Sequence, residues 1–137
     1  MHGVSLYPLK QIHNSKGDIL HALKVSSDGF VNFGEAYFSE VKSGEIKGWK
    51  KHTKMTLNLI VPIGCIDFVI FNEEDKAFFN ITLSRDNYQR LTIEPGLWMA
   101  FRGQSPGASL LLNIASIEHD PSEAENRELE EIAYPWS

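Results

Sequence analysis

This sequence predicts an all-β fold, with strands closed into a sandwich or barrel. Three observations carry the prediction: turn signals recur along the whole chain, the stretches between them are short and rich in aromatic and β-branched residues, and these stretches alternate with a period of two. The turns are Asn14-Ser15-Lys16-Gly17, Ser27-Asp28-Gly29, Lys42-Ser43-Gly44, Pro62-Ile63-Gly64, Asn72-Glu73-Glu74-Asp75, Glu94-Pro95-Gly96 and Ser105-Pro106-Gly107. Between them the predicted strands are Ile19–Val25, Phe33–Phe38, Thr56–Val61, Ile66–Phe71, Phe78–Leu83, Arg90–Ile93, Trp98–Arg102 and Ser109–Ser116. In Thr56–Val61 one face carries Leu57, Leu59 and Val61, and the other Thr56, Asn58 and Ile60. In Ile66–Phe71 the set Ile66, Phe68, Ile70 opposes Asp67, Val69, Phe71. Apolar groups on both faces suit strands inside a jelly roll. Ser122–Glu131 reads as one short C-terminal helix, and its glutamates make it a solvated acidic surface. Two large aromatics in Tyr134-Pro135-Trp136-Ser137 should dock on the barrel or on a partner subunit.

The 137 residues form one domain, 1–137, with no internal repeat or long linker. A net charge of −5 speaks against nucleic acid or an anionic membrane as partner. No apolar run is long enough for a bilayer, and the start MHGVSLYPLK lacks a signal-peptide core, so a cytoplasmic location is expected. The single cysteine, Cys65, excludes an internal disulfide and reads as a small buried residue in a strand.

Gly44–Phe71, GEIKGWKKHTKMTLNLIVPIGCIDFVIF, resembles the core of the dTDP-4-dehydrorhamnose 3,5-epimerase family, a branch of the cupin barrels. Family members carry GVLRGLHYQ, a turn glycine and VFDVAVD; Gly44–Lys50, Gly64 and Ile66–Ile70 follow that order. Leu83-Ser84 and Leu91–Phe101 resemble "LS…IPEGFAHGF", and Pro121, Glu125, Ile132 and Pro135-Trp136 resemble the closing pattern. His13–Asp18 stands where members have an Asp-Arg-Gly turn. The resemblance implies a cupin-type jelly-roll β-barrel with one short C-terminal helix, a homodimer formed by strand exchange near the N-terminus, and no cofactor or metal. It also implies an epimerase or isomerase acting on a nucleotide-diphosphate 4-keto sugar, in the supply of sugars for surface polysaccharide. In that chemistry a histidine removes the proton next to the ketone, a lysine steadies the enolate oxygen, and a tyrosine returns a proton to the other face. Arginines hold the diphosphate.

At the family's positions this chain carries different groups: Lys50 for the base histidine, Lys47 for the arginine, Leu57 for the strand lysine, Asn113 for the tyrosine and Met99 for the later histidine. The catalytic candidates are therefore His52, two residues beyond Lys50, and Lys50 itself. Imidazole suits removal of a proton flanked by a ketone; the competing reading of His52 is a surface residue in a basic stretch. The substrate-binding candidates are Lys47, Trp49, Lys54, Asn58, Trp98, Arg102 and Asn113. Lys47, Lys50, Lys51 and Lys54 form a basic patch suited to a diphosphate, and Trp49 and Trp98 could line the barrel mouth or pack in the core. His2, His13, His21 and His119 show no ligand spacing, and Lys50-x-His52 with Asn58 and Met99 does not make a cupin metal site. The alternative function is a non-catalytic cupin that binds a sugar or nucleotide sugar.

Overall fold

The computed structural model describes residues 1–136, and Ser137 lies outside the described residues. Twelve strands, numbered along the chain, form two five-stranded sheets and a small hairpin. The first sheet has the order β1 (Val4–Pro8), β9 (Gln89–Ile93), β6 (Leu57–Ile63), β11 (Ser109–Ala115), β4 (Glu35–Val41). The second runs β12 (Ala124–Asn126), β5 (Ile46–His52), β10 (Trp98–Gly103), β7 (Cys65–Asn72), β8 (Ala77–Ser84), and β2 (Gln11–Ile12) pairs with β3 (Ile19–Leu20). Every strand ladder is antiparallel. This is the predicted jelly roll.

Strand alternation decides what each sheet buries. Leu57, Leu59 and Val61 on β6, Leu91 and Ile93 on β9, and Ile66, Phe68 and Ile70 on β7 all join one core between the sheets. The opposite face of β7 sends Val69 and Phe71 into a second cluster with Trp49, Trp98, Ala100 and Ile132, on the outside of the second sheet. The tail closes this cluster: Trp136 packs 6.2 Å from Trp49 and Tyr134 lies 5.1 Å from Phe78, ring centre to ring centre. The aromatic tail thus docks on its own barrel. At the β6–β7 turn Gly64 has φ +87°, and a Cβ there would stand 2.7 Å from the Ser109 backbone, so only glycine fits.

Several expectations need correction. Val4–Pro8 is a full strand that the turn signals did not reveal, because it precedes the first of them. Ile19–Val25 shortens to a two-residue strand, and Phe33–Phe38 shifts to Glu35–Val41. No helix spans Ser122–Glu131. Two 3-10 turns, Pro121–Glu123 and Leu129–Glu131, flank β12, whose backbone completes the edge beside β5. The ladder with β5 outcompetes the weak helical propensity of a short acidic segment. Cys65 opens β7 and is only half-buried, its thiol pushed up by burial and by Asp67 and Asp86. No helix among the described residues is long and apolar enough to cross a membrane.

Candidate functional site

At one end of the core the two sheets part around a cavity of about 280 Å³. The first sheet contributes Tyr37 and Ser39 from β4, Leu57 and Leu59 from β6, and Leu111 and Asn113 from β11. The second sheet contributes Lys47, Lys50 and His52 from β5, with Met99 and Phe101 from β10. A side pocket of about 260 Å³ is lined by Glu35, Tyr37, Lys50, His52, Met55 and His119. The lining joins apolar side chains with a few polar ones, the usual make-up of a small-molecule site.

β5 sets the inner wall. Lys50 and His52 are two apart and face inward, while Trp49 and Lys51 face outward. A shift of register between Met99 and Phe101 on β10 inserts one extra residue into β5, which brings Lys47 to the same inner face as Lys50 although they are three positions apart. Lys47 Nζ donates to Ser39 Oγ at 2.9 Å and lies 5.9 Å from the Phe101 ring centre.

His52 is the organised group. Its side chain is 13% exposed and its Nδ1 hydrogen-bonds Glu123 Oε1, from a carboxylate that is only 2% exposed. The other oxygen, Oε2, accepts the backbone N–H groups of Lys54 at 3.1 Å and Met55 at 3.2 Å. Burial pushes the Glu123 carboxyl up, but the hydrogen bonds from His52 and these N–H groups outweigh it and hold it below the usual carboxylate range. An ionised carboxylate only accepts, so it keeps the proton of neutral His52 on Nδ1 and leaves Nε2 as the nitrogen with a free lone pair. Glu123 is fixed by the 3-10 turn, in which Asp120 caps Ser122 N, and by Thr53 N and Oγ1 donating to the Glu123 carbonyl.

The structure divides the sequence candidates. Lys47, Lys50, His52 and Asn113 meet in the cavity. Trp49 and Trp98 do not line the mouth. Both are buried behind the wall, with Trp49 Nε1 donating to the Leu129 carbonyl at 3.2 Å. Lys54 is exposed on the loop after β5 and points away from the cavity lining. The basic patch splits as well, since Lys51 pairs with Glu125 at 3.5 Å and covers the Trp98 ring. Asn58 faces the outside of the first sheet, where its Oδ1 accepts Arg90 Nε and Thr92 Oγ1. Arg102 lies outside the second sheet, 3.3 Å from Asp67 and over the Trp136 ring. Alternation explains all of these: each is an odd number of residues from an inward neighbour on a regular strand, or lies past the end of one. His13 pairs with Asp18 in the β2–β3 turn, far from the cavity lining.

Sequence reading missed Glu123, Tyr37, Ser39 and His119. Nothing local marks Glu123, which sits in a run of glutamates, and its partner is 71 residues away. Tyr37 was within reach of a pattern argument, because it alternates with Ser39 and Val41 on β4. No three His, Cys, Asp or Glu side chains among the described residues converge as a metal-ligand set.

A jelly roll whose open end gathers a histidine–carboxylate pair and two lysines around a cavity is the class of protein this chain represents. Within that class the chain belongs to the WxcM-like, C-terminal (FdtA) family, whose model matches residues 2–131. The crystal structure of a dTDP sugar isomerase from Desulfovibrio desulfuricans G20 is 36% identical over 99% of this chain and 90% of that one, with a TM-score of 0.93. QdtA, a sugar 3,4-ketoisomerase from Thermoanaerobacterium thermosaccharolyticum in complex with TDP, shares the fold at 21% identity, covering 96% of this chain and 93% of that one, with a TM-score of 0.80. The 3,5-epimerase RmlC of Legionella pneumophila shares it at 14% identity, 99% and 79% coverage and a TM-score of 0.84. Comparison with curated protein sequences yields no match.

Proposed function

We propose that the protein is an isomerase of a nucleotide-diphosphate-linked 4-keto sugar, most simply a dTDP sugar, with His52 as the base. The carrying observation is the His52–Glu123 pair, which presents one basic nitrogen to a cavity that also holds Lys47 and Lys50. The 36% identical dTDP sugar isomerase supports the substrate class. A hydrogen on the carbon next to a ketone is acidic enough for imidazole once the developing enolate oxygen is stabilised. Lys50, on the same inner face as His52, supplies that positive charge. Lys47, at the rim, suits the diphosphate as a point charge. Glu123 is a positioning residue that fixes the ring and steadies the imidazolium formed during transfer.

The same reading includes a homodimer. Phe38 is 64% and Ile63 60% exposed, and the β4–β11 register sets Phe38 beside Leu112 on the outer face of the first sheet. An apolar sheet face bounded by the free edge of β4 suits a second copy. Light scattering at micromolar concentration should give twice the chain mass; a monomer mass would remove this part of the reading.

The test of activity is incubation with dTDP- and GDP-linked 4-keto-6-deoxy sugars in deuterated water, followed by NMR. Deuterium should enter at the carbon next to the ketone and depend on His52. Binding without any exchange would instead leave a sugar-nucleotide-binding module.

A further inference from the structure

The isomerase reading supplies a base but needs a group to return a proton, and the residue expected for that from the family pattern is here Asn113, an amide that cannot donate to carbon. The structure shows what stands next to it. Asn113 on β11 is the register partner of Tyr37 on β4, and its Nδ2 donates to the Tyr37 hydroxyl oxygen at 2.8 Å. Both side chains line the cavity.

That hydrogen bond has a direction with a chemical consequence. Because the phenol oxygen accepts from Asn113, its own O–H is free to point elsewhere, and the cavity is the space it borders. Tyr37 belongs to the first sheet and His52 to the second, so the two groups reach the shared cavity and the side pocket from opposing walls. At 43% exposed, Tyr37 also touches solvent, from which a phenolate can recover its proton. Asn113 is buried.

We infer that Tyr37 is the proton donor of this site, a phenol moved one strand over from the family's position, and that Asn113 is its positioning residue. In the first step His52 Nε2 takes the proton from the carbon next to the ketone. The C–H electron pair becomes the enolate double bond and the ketone oxygen takes up the negative charge beside Lys50. In the second step the enolate carbon takes the Tyr37 proton from the opposite wall and the carbonyl re-forms. The phenolate then gains a proton from water at the mouth, and the imidazolium releases one to it.

The experiment compares solvent exchange with turnover. In deuterated water Tyr37→Phe should still exchange the substrate hydrogen through His52 at a rate within about threefold of wild type, while product formation falls about a hundredfold, the usual worth of a general acid. Asn113→Ala should shift the same exchange-to-turnover ratio in the same direction by about tenfold, with KM nearly unchanged. A folded Tyr37→Phe variant that turns over within about threefold of wild type would overturn the inference, as would equal loss of exchange and turnover, which would make Tyr37 a binding group. This outcome is separate from failure of the isomerase reading, in which wild type itself exchanges nothing.

Discussion

Two buried polar clusters sit on opposite sides of the barrel wall, and they differ in what their hydrogen bonds hold in place. Outside the first sheet, the Arg90 guanidinium is tied into the framework: Nε donates to Asn58, another nitrogen to the Asp28 carbonyl, and the group lies 4.7 Å from the Tyr7 ring centre. Asn58 in turn donates to the Gly29 carbonyl and accepts from Thr92. The cluster pins the segment around Asp28 and Gly29 to the sheet, and burial lowers the Arg90 pKa. The adjoining cleft is the larger in volume, about 350 Å³, and the Arg90 that lines it also holds Asn58 and the Asp28 carbonyl. Inside the barrel, Glu123 satisfies one nitrogen of His52 and two backbone N–H groups, and the second His52 nitrogen remains for a ligand. Burial of a polar group marks chemistry only where its bonding is left incomplete on the side that faces a cavity.

This contrast can be tested at four points, beginning with the strongest. His52→Ala should lower the solvent-exchange activity of the folded protein about a thousandfold, since it removes the base; activity within about tenfold of wild type would place the base elsewhere. Glu123→Gln should lower activity about a hundredfold. The amide oxygen can still accept from Lys54 and Met55, which turns its NH₂ toward His52 and forces the wrong tautomer. Arg90→Met should do the reverse, costing about 2–3 kcal/mol in urea unfolding by stranding Asn58 and a carbonyl while leaving kcat/KM of the folded protein unchanged; a catalytic defect would erase the distinction between the clusters. The smallest effect concerns pH. Because Glu123 is held below its ordinary value in the folded state, its contribution to stability is present above about pH 4.3, the unfolded carboxyl value, and is lost as pH falls through the lower folded value. Urea midpoints should therefore drop on acidification below that point, and the drop should be shallower in Glu123→Gln.

Much of the fold was legible because a period of two is a local property. The alternation in 57–61 and 66–71 sorts the residues into the two faces the structure shows, without any knowledge of partners. The same rule, applied to β5, places Trp49 behind the wall as soon as Lys50 and His52 are placed in front, so the misplacement of that tryptophan was avoidable. Glu123 was not legible. Its environment is made by β5 and the following loop, and an acidic run with that composition is solvated in most settings. Tyr37 lies between these cases: its strand was foreseen, but its bond to Asn113 depends on the β4–β11 register, which no single strand encodes.

The seam between β4 and β5 has one more consequence. Each strand is hydrogen-bonded to its own sheet and no ladder joins them; the turn between them is tied by backbone bonds to Gly103, and the Lys47–Ser39 side-chain bond spans the two strands. One border of the open end is thus made by two strands that share no ladder. A long guest can rest its reactive tip inside and its bulky remainder along that border.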